Sequence, residues 1–392
     1  MLEQNLVSEV LRLARGGGAE FADLFVEDRV SSRVHLLNSH VKDASGGNDF
    51  GAGIRALYGT KVVYAYTNDL SREGLREIAQ AVARANGFAG EVDSGGAGGL
   101  DFRSTTPKKL YRVSQHPLET LKADKLALAR RAGAAARVGA VKTVDARYFD
   151  WVQRVLIANS DGDWVEDERV YSRLMVNAIA EDGERRSDGH GGPGAGMGLE
   201  FFAGDLPERT GAEAARVANA MLNAGFAPAG TIPVVIGNGF GGVIFHEACG
   251  HILETTAIEK KASVFDGKIG QRIAHSSLSA VDDGTIPGAW GSINVDDEGM
   301  PSQRTVLIEN GILKNYMSDK VGEMKTGHAR TGSGRRENYT FAPASRMRST
   351  EILNGHETPE SLIKKVKYGL YARTMGGGSV SPGTGDYNFS VN

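Results

Sequence analysis

The stretch from Val141 to Ala180 constrains the fold of this chain more than any other segment. Apolar and polar residues alternate through most of it with a period of two, and the turn-forming residues Asn159-Ser160-Asp161-Gly162 interrupt the alternation near its middle. A period of two places successive side chains on opposite faces of a β-strand. The segment is therefore predicted to form an antiparallel meander that reverses at this turn.

The residues around this meander alternate between helical and strand patterns in blocks. Helices are predicted over about residues 2–14, 71–86, 118–138 and 211–225, and strands over 22–28, 32–37, 54–58 and 61–66. Turns are expected at Asn38-Ser39 and Gly59-Thr60. Blocks of this kind, without strict alternation of strand and helix, predict an α+β fold with an antiparallel sheet in an N-terminal α/β sandwich-like domain.

The second half of the chain is predicted to be a separate, β-rich domain. A chain of 392 residues is too long for one ordinary core, so we expect domains at 1–200 and 201–392. The C-terminal part has a buried strand at 232–236, a hairpin of 304–309 and 312–317 around Asn310-Gly311, and a helix from Pro359 to about Leu370. Two glycine-rich stretches, 91–100 and 189–198, are interpreted as a linker and as a domain boundary or mobile flap.

The overall composition excludes several classes of function. The formal net charge is −3 and the isoelectric point is about 6.3, so a nucleic-acid partner or an anionic membrane surface is not expected. No apolar run approaches the roughly 20 residues that span a bilayer. Cys249 is the only cysteine, and the N-terminus resembles no signal peptide. A cytoplasmic protein is therefore expected.

The segment Gly239–His251 carries the strongest chemical signal. It follows an apolar strand and a glycine loop, and it places His246, Glu247 and His251 within six residues. Imidazole is a standard zinc ligand, and a carboxylate beside a metal-activated water is well placed to act as a general base. These residues predict a metal-dependent hydrolase, with His246 and His251 as metal ligands and Glu247 as the catalytic base.

The spacing of the two histidines requires a distorted helix. Metal-binding helices commonly place two histidines at i and i+4, on one face. His246 and His251 are at i and i+5, about 140° apart on an ideal α-helix. They reach one metal if the turn is underwound, as in a π-bulge, or if the helix ends there, and Gly250 is suited to either distortion.

The motif supplies two metal ligands, whereas a catalytic zinc site normally has three from the protein. Cys249 lies three residues after His246 and is a chemically suitable thiolate, although a small buried apolar residue is the more ordinary interpretation. Glu254 and His275 are further candidates. The spacing alone leaves all three open.

Several other motifs have ordinary structural interpretations. The loop 238–242 lacks the Gly-Lys-Ser/Thr of a phosphate-binding loop, and the acidic segments 281–284 and 295–299 lack calcium-loop spacing and are interpreted as turns. The basic segments 335–339 and 346–348 either hold a substrate carboxylate or form a salt-bridged loop. His190, between glycines, is interpreted as a mobile surface residue.

Four blocks of the sequence resemble the TldD/PmbA metallopeptidases, also called modulators of DNA gyrase. They are Gly241–His251, Ser279–Thr285, the hairpin that ends at Tyr316–Asp319, and Arg335–Tyr339 together with Pro343, Arg346 and Met347. The resemblance extends over nearly the whole chain. The His-Glu motif favours the TldD-like, zinc-bearing branch over the PmbA/TldE-like branch, which lacks it.

The resemblance implies a zinc peptidase that cleaves unfolded or extended peptides. His246 and His251 are then zinc ligands, and Glu247 is the acid/base. It also implies a homodimer, or a heterodimer with a PmbA/TldE-like paralogue. Family members usually continue past the position of Asn392 with a segment that carries a cysteine as third zinc ligand, which is expected to be lacking here. The alternative function is therefore a non-catalytic peptide-binding or partner subunit with an incomplete metal site, and a hydrolase of another amide is a third class.

Overall fold

The computed structural model of the chain describes residues 2–85, 99–238 and 240–391. The fold is α+β, as predicted, with a helix-covered antiparallel sheet in the N-terminal half and smaller sheets in the C-terminal half. Residues 91–98 of the predicted linker lie outside the described residues. No helix of the described part of the chain is long and apolar enough to cross a membrane.

The N-terminal half is built on one large sheet. Its strands are β1 (Phe21–Leu37), β2 (His40–Tyr58), β3 (Lys61–Thr67), β4 (Arg103–Thr105), β5 (Val141–Asn159), β6 (Asp163–Asp182), β7 (Arg185–Gly191) and β8 (Gly194–Ala195). The order is β3-β2-β1-β5-β6-β4, and β7 and β8 also pair with β6. Its helices are α1 (Gln4–Arg15), α2 (Arg72–Arg84), α3 (Lys122–Ala135) and α4 (Leu206–Leu222).

The long hairpin predicted between Val141 and Ala180 is confirmed. β5 and β6 pair in antiparallel register from Val141 opposite Ala180 to Ala158 opposite Trp164. The strands predicted separately at 22–28 and 32–37 form the single strand β1, which was not expected. The polar residues between them stay in the ladder because β1 pairs with β2 on one side and β5 on the other.

The two faces of this sheet cover different parts of the protein. Leu24 points into a core shared with α1 and α2, whereas Phe25, the next residue of β1, packs against Val295 of the C-terminal half. This is the alternation that a strand requires. Further along the sheet, a second core is formed with α3 and α4. The sheet therefore separates a helical layer from the C-terminal half.

The C-terminal half contains several short sheets and helices. Its strands are β9 (Val234–Ile236), β10 (Ala280–Asp283), β11 (Arg304–Glu309), β12 (Ile312–Leu313), β13 (Gly334–Arg335), β14 (Ala344–Ser345), β15 (Thr350–Ile352), β16 (Leu370–Ala372), β17 (Met375–Val380) and β18 (Tyr387–Val391). The sheets have the orders β12-β11-β10-β15, β13-β14, β16-β9 and β17-β18. The helices are α5 (Val243–Phe245), α6 (Thr255–Ile258), α7 (Lys320–Thr326) and α8 (Pro359–Lys365).

The turns predicted at Asn38-Ser39 and Asn310-Gly311 are present. Asn38 and Ser39 have φ values of 49° and 69°, and Asn310 and Gly311 have values of 49° and 79°. Two consecutive residues with positive φ are typical of the tight turns that match the twist of a hairpin. The strand after Gly311 is shorter than predicted, because β12 ends at Leu313.

Three other predictions were wrong in part. The glycine-rich stretch 189–198 is no flap, because half of it extends the main sheet as β7 and β8. The strand at 232–236 is not buried: Val234 is 49% exposed and Ile236 is 37% exposed. The last helix ends at Lys365 rather than near Leu370, which instead begins β16.

Buried ion pairs hold the two halves together. The Arg55 guanidinium on β2 pairs with Asp23 on β1 and lies 2.8 Å from the Glu298 carboxylate of the C-terminal half. Arg336 lies 3.1 Å from the other oxygen of Asp23. A charge buried this far from water is tolerated only when it is paired. The position of the C-terminal half on the sheet is therefore fixed by charge as well as by apolar packing.

Candidate metal centre

A short exposed strand leads directly into the histidine motif. β9 pairs in parallel with β16, and the chain then turns through Gly237, where an added Cβ would lie 2.7 Å from the carbonyl oxygen of Arg373. Residues 240–242 form a 3-10 turn and continue without a break into α5. Gly239 lies outside the described residues. The glycine loop thus carries the chain from a sheet edge into a helix.

The motif itself is a π-helical turn. Residues His246–Gly250 form it, and the amide of His251 donates to the carbonyl of His246, an i to i+5 hydrogen bond. One additional residue per turn brings positions i and i+5 close to the same face. Of the two distortions that the spacing allowed, an underwound turn or a helix end, the structure has the underwound turn.

Gly250 is required by packing rather than by an unusual backbone angle. Its φ is −54°, which any residue adopts. A Cβ at this position would lie 2.1 Å from the Met347 sulfur, well inside van der Waals contact. The turn therefore sits directly against Met347, a residue distant in sequence.

The turn brings together the three side chains that the sequence singled out. One ligand atom each from His246, Glu247 and His251 lies within 4.8 Å of the others. The two imidazole centroids are 4.7 Å apart at an angle of 80°, and the His251 Nε2 atom is 4.0 Å from a Glu247 oxygen. All three residues are half-buried. The arrangement is open to solvent on one side and has the nitrogen and oxygen donors that zinc accepts.

The two imidazoles have different electrostatic surroundings. Burial and the neighbouring His251 lower the pKa of His246, which favours the neutral, metal-binding form. A hydrogen bond with Glu254 raises the pKa of His251. The Glu254 carboxylate lies 3.3 Å from His251 Nδ1, so Nε2 is left facing Glu247. This is the carboxylate–histidine arrangement that orients metal-bound histidines.

Glu254 is itself held in place from the C-terminal side. Its side chain is 3% exposed and lies 2.9 Å from the Arg346 guanidinium. The amide of Met347 also donates to it, at 3.3 Å. Glu254, a candidate third ligand in the sequence, therefore contacts a histidine ring instead of joining the three clustered donors.

The other candidate third ligands do not join the cluster among the described residues. Cys249 packs against an apolar core that includes Phe245, and burial raises the pKa of its thiol to about 11. A neutral thiol is a poor metal ligand. The imidazole of His275 lies 2.9 Å from the Ser277 hydroxyl. Within the described chain, the cluster contains two imidazoles and one carboxylate.

Most of the remaining motifs have structural roles. The segment 281–284 is not a turn, because its first three residues belong to the buried strand β10, where Asp282 pairs with Arg348 at 2.8 Å. Arg336 is likewise in an internal pair. His190 lies on β7, opposite Asn177. The basic segments are therefore largely salt-bridged, and Arg335 is the exception considered below.

An aromatic cluster beside the motif was not found from the sequence. Trp151 and Tyr171 stack with centroids 4.9 Å apart, and Trp290 meets Trp151 edge-on at 5.4 Å. Trp151 and Tyr171 both lie in the segment predicted to form the meander, where the register places them opposite each other. Trp290 lies in an irregular segment, so its contact with Trp151 could not be predicted from the sequence.

Two imidazoles and a carboxylate on a half-buried π-turn form the kind of donor set found in metal-dependent hydrolases. The chain is 37% identical over 380 residues to the metalloprotease TldD homolog of Haemophilus influenzae, covering 95% of this chain and 78% of that protein. Models of PmbA/TldA metallopeptidase domain 1, the central domain and the C-terminal domain match residues 22–85, 115–222 and 229–392. The chain belongs to the PmbA/TldD metallopeptidase family.

Further similarities agree with this assignment. A metalloprotease TldD homolog of Buchnera aphidicola is 34% identical over 382 residues, covering 95% of this chain and 78% of that protein. The crystal structure of TldE from Thermococcus kodakarensis matches with a TM-score of 0.78 at 18% identity, covering 99% of this chain and 86% of that one. At that identity the match concerns the fold. The predicted domain division near residue 200 stays a prediction.

Proposed function

We propose that this chain is a zinc-dependent peptidase that cleaves unfolded or extended peptides. The single observation that carries the proposal is the π-turn, which clusters the donors of His246, Glu247 and His251 within 4.8 Å. Metalloproteases among the relatives support the reaction class. Two imidazole nitrogens as ligands favour zinc over magnesium or calcium, which prefer oxygen ligands.

In this proposal the two histidines hold the metal and Glu247 moves the proton. Held by His246 and His251, a zinc ion would supply Lewis acidity for the scissile carbonyl and for a water molecule. The Glu247 carboxylate accepts the proton of the attacking water and delivers it to the leaving amine. Glu254 keeps the ring of His251 oriented, which its 3.3 Å contact with Nδ1 supports.

The substrate is proposed to bind as an added strand beside β9. Within the described residues β9 pairs only with β16, and it leads directly into the metal-binding turn. Val234 and Ile236 lie on the same face of the strand and are exposed, so an apolar surface is available to the side chains of a peptide that pairs with this edge. An extended peptide satisfies its backbone hydrogen bonds at such an edge, which agrees with a preference for unfolded substrates.

Replacement of Glu247 by Gln tests the mechanism. The variant keeps the volume and loses the base, so we expect it to retain zinc and to lose at least about a hundredfold in peptide hydrolysis. Glu259→Gln is the matched control, because Glu259 pairs with Lys325 at 3.1 Å and is not among the clustered donors. Retained turnover in Glu247→Gln with unchanged zinc content contradicts the assignment of the base.

A second candidate function is a non-catalytic subunit that binds peptide or a partner. It is favoured because, among the described residues, no further donor joins the two histidines and Glu247. Metal analysis of the purified protein separates the two functions. Zinc at one ion per chain supports the peptidase. A metal-free protein that binds peptides supports the subunit.

We further propose that the protein works in the cytoplasm as a dimer, with a second copy or with a PmbA/TldE-like paralogue. The similarity of its fold to that of TldE supports such a partner. Light scattering of the protein alone, and after mixing with the paralogue, measures which dimer forms. A monomer under both conditions contradicts this proposal.

A further inference from the structure

A cavity of about 300 Å³ lies beside the metal-binding turn, on the side away from the helical layer. It is formed between the main sheet and the C-terminal half. Met347 contributes to its wall and also contacts Gly250, the residue before His251. Met347 therefore lies between the cavity and the turn that carries His251.

Aromatic rings make one wall of this cavity. Trp151 and Tyr171 come from β5 and β6, and Trp290 comes from the C-terminal half. Trp290 also contacts Tyr171, at a centroid distance of 5.4 Å. Because each ring is held by the others, the wall is formed in advance and little ordering is required when a ligand enters.

Most charged groups around the cavity already have partners. Arg169 lies 2.6 Å from Asp297, and the pairs of Arg336 with Asp23 and Arg348 with Asp282 are internal. These groups are buried, and each guanidinium has an anionic partner, so they contribute little net attraction for a ligand.

Arg29 and Arg335 differ from this set. Both line the cavity and both are half-buried, yet among the described residues neither has a carboxylate within ion-pair distance. The Arg29 guanidinium lies over the ring of Trp151, 4.9 Å from its centroid. Burial acts to raise the pKa of Asp297, but attraction to Arg169 and, at longer range, to Arg335 leaves it lowered. The buried Glu27 carboxylate attracts Arg29 only at longer range. The exposed Glu337 is a further anion at the cavity, so two cations without a contacting carboxylate face one carboxylate without a contacting cation.

We propose that this cavity binds a carboxylate of the peptide substrate, with Arg29 and Arg335 as the recognising cations and the aromatic wall as the surface that contacts the adjoining aliphatic atoms. A guanidinium recognises a carboxylate through two parallel hydrogen bonds. A partly desolvated site strengthens that attraction. The proposal rests on the peptidase function proposed above and adds a preference of that same site.

The carboxylate has two sources in a peptide: the side chain of Asp or Glu, or the C-terminus. Four alanine-based pentapeptides with acetylated N-termini separate them. One has a central Glu and an amidated C-terminus, one has Gln in its place, one is all-alanine with a free C-terminus, and one is all-alanine and amidated. The first pair isolates the side chain, and the second pair isolates the terminus.

Binding is measured by tryptophan fluorescence in the Glu247→Gln variant, which prevents turnover. Of the tryptophans, Trp151 and Trp290 line the cavity, whereas Trp164 packs against Phe102 in the helix-side core. We expect at least one carboxylate peptide to bind about tenfold more tightly than its neutral match, since charged hydrogen bonds of this kind contribute roughly that factor. The preference should weaken as ionic strength rises.

Arg335→Gln and Arg29→Gln are each expected to abolish this preference while the affinity for the neutral peptides stays within about twofold. Arg304→Gln is the control, because Arg304 is 45% exposed on β11 and pairs with Asp283 outside the cavity. Arg335→Glu should reverse the preference toward a peptide with a central Lys.

Equal affinities for all four peptides overturn the proposal, as does a preference that survives both glutamine substitutions. The assay needs no catalysis, so its outcome is distinct from that of the proposed function. If the wild-type protein has no hydrolytic activity but still prefers the carboxylate peptide, the binding site is supported and the peptidase function is contradicted. If the protein is active but shows no such preference, the peptidase function is supported and the binding site is contradicted.

Discussion

His251 Nδ1 lies 3.3 Å from a carboxylate oxygen of Glu254, three residues further along the chain. Because Glu254 is buried and also lies 2.9 Å from Arg346, it is fixed before any metal binds. The ring of His251 is therefore turned so that Nε2 faces Glu247. The motif that looked like two ligands and a base in the sequence thus includes a fourth residue, which positions one of the ligands.

Replacing Glu254 by Gln should weaken zinc binding. The neutral amide no longer favours the tautomer with the proton on Nδ1, and loss of such an outer partner typically lowers metal affinity by 10- to 100-fold, so we expect about tenfold. Competition with a chromogenic chelator measures the change. The folded state should persist, because the amide oxygen can still accept from Arg346. Unchanged zinc affinity contradicts the orienting role of Glu254.

Gly250→Ala should destabilise the C-terminal half. The added methyl group would lie 2.1 Å from the Met347 sulfur, so either Met347 or the π-turn must move. Overpacking of this kind costs about 1–3 kcal/mol of unfolding free energy. Urea unfolding measures the loss, and zinc content measures any shift of the histidines.

Gly242→Ala is the matched control for that substitution. Gly242 lies in the same segment, its φ is −59°, and no atom lies within 4 Å of a Cβ built there. We expect its stability to stay within about 0.5 kcal/mol of wild type or to rise slightly, since alanine favours helix over glycine. Equal stability of the Gly250 and Gly242 variants would show that Met347 accommodates the methyl group without strain.

The sequence predicted the turn at the site because its cause is local. An i+5 pair of histidines that share one metal requires either an underwound turn or a helix end, and His246–Gly250 is π-helical. The reason for Gly250 was not predictable, because it lies in a contact with Met347 that only the folded chain creates. At β1, likewise, local sequence predicted two separate strands, and pairing with β2 and β5, which only the folded chain creates, joins them into one.

The buried charges were also beyond sequence reasoning. Arg336 and Arg348 stood in basic segments that fitted either a substrate site or a surface loop. Which of these is correct depends on Asp23 and Asp282, residues that only the fold brings near them. A pattern of local charge indicates the need for a partner without identifying it.

Arg55→Met tests the ion pairs between the two halves. Removal of the guanidinium leaves Asp23 and Glu298 buried with fewer cationic partners. Breaking a buried pair in this way costs about 3–5 kcal/mol. Thermal unfolding measures the loss. Arg33→Met is the control, because its pair with Asp43 is largely exposed and should contribute little to stability. Similar losses for both variants contradict the role assigned to Arg55.

Asp319 differs from these paired charges, because its surroundings disfavour the ionised carboxylate. Its carboxylate caps α7 by accepting from the amide of Gly322 at 2.8 Å. Burial and the neighbouring Glu298 raise its pKa from 3.8 to about 6. The ionised form is therefore less stable in the folded protein than in the unfolded chain.

Asp319→Asn should make the protein less sensitive to pH between about 4 and 6. As pH rises through this window the unfolded chain releases the Asp319 proton first, so wild-type stability falls, and the fall is complete above the folded pKa. Asparagine keeps the cap without the charge, so the variant should gain up to roughly 2 kcal/mol over wild type by pH 7 and nothing near pH 4. Urea unfolding across this range measures the difference.

Asp69→Asn should show the reverse sign, because hydrogen bonds from Ser71 lower the pKa of Asp69, and its stability relative to wild type should decrease as pH rises. A constant difference between Asp319→Asn and wild type at every pH contradicts the raised pKa.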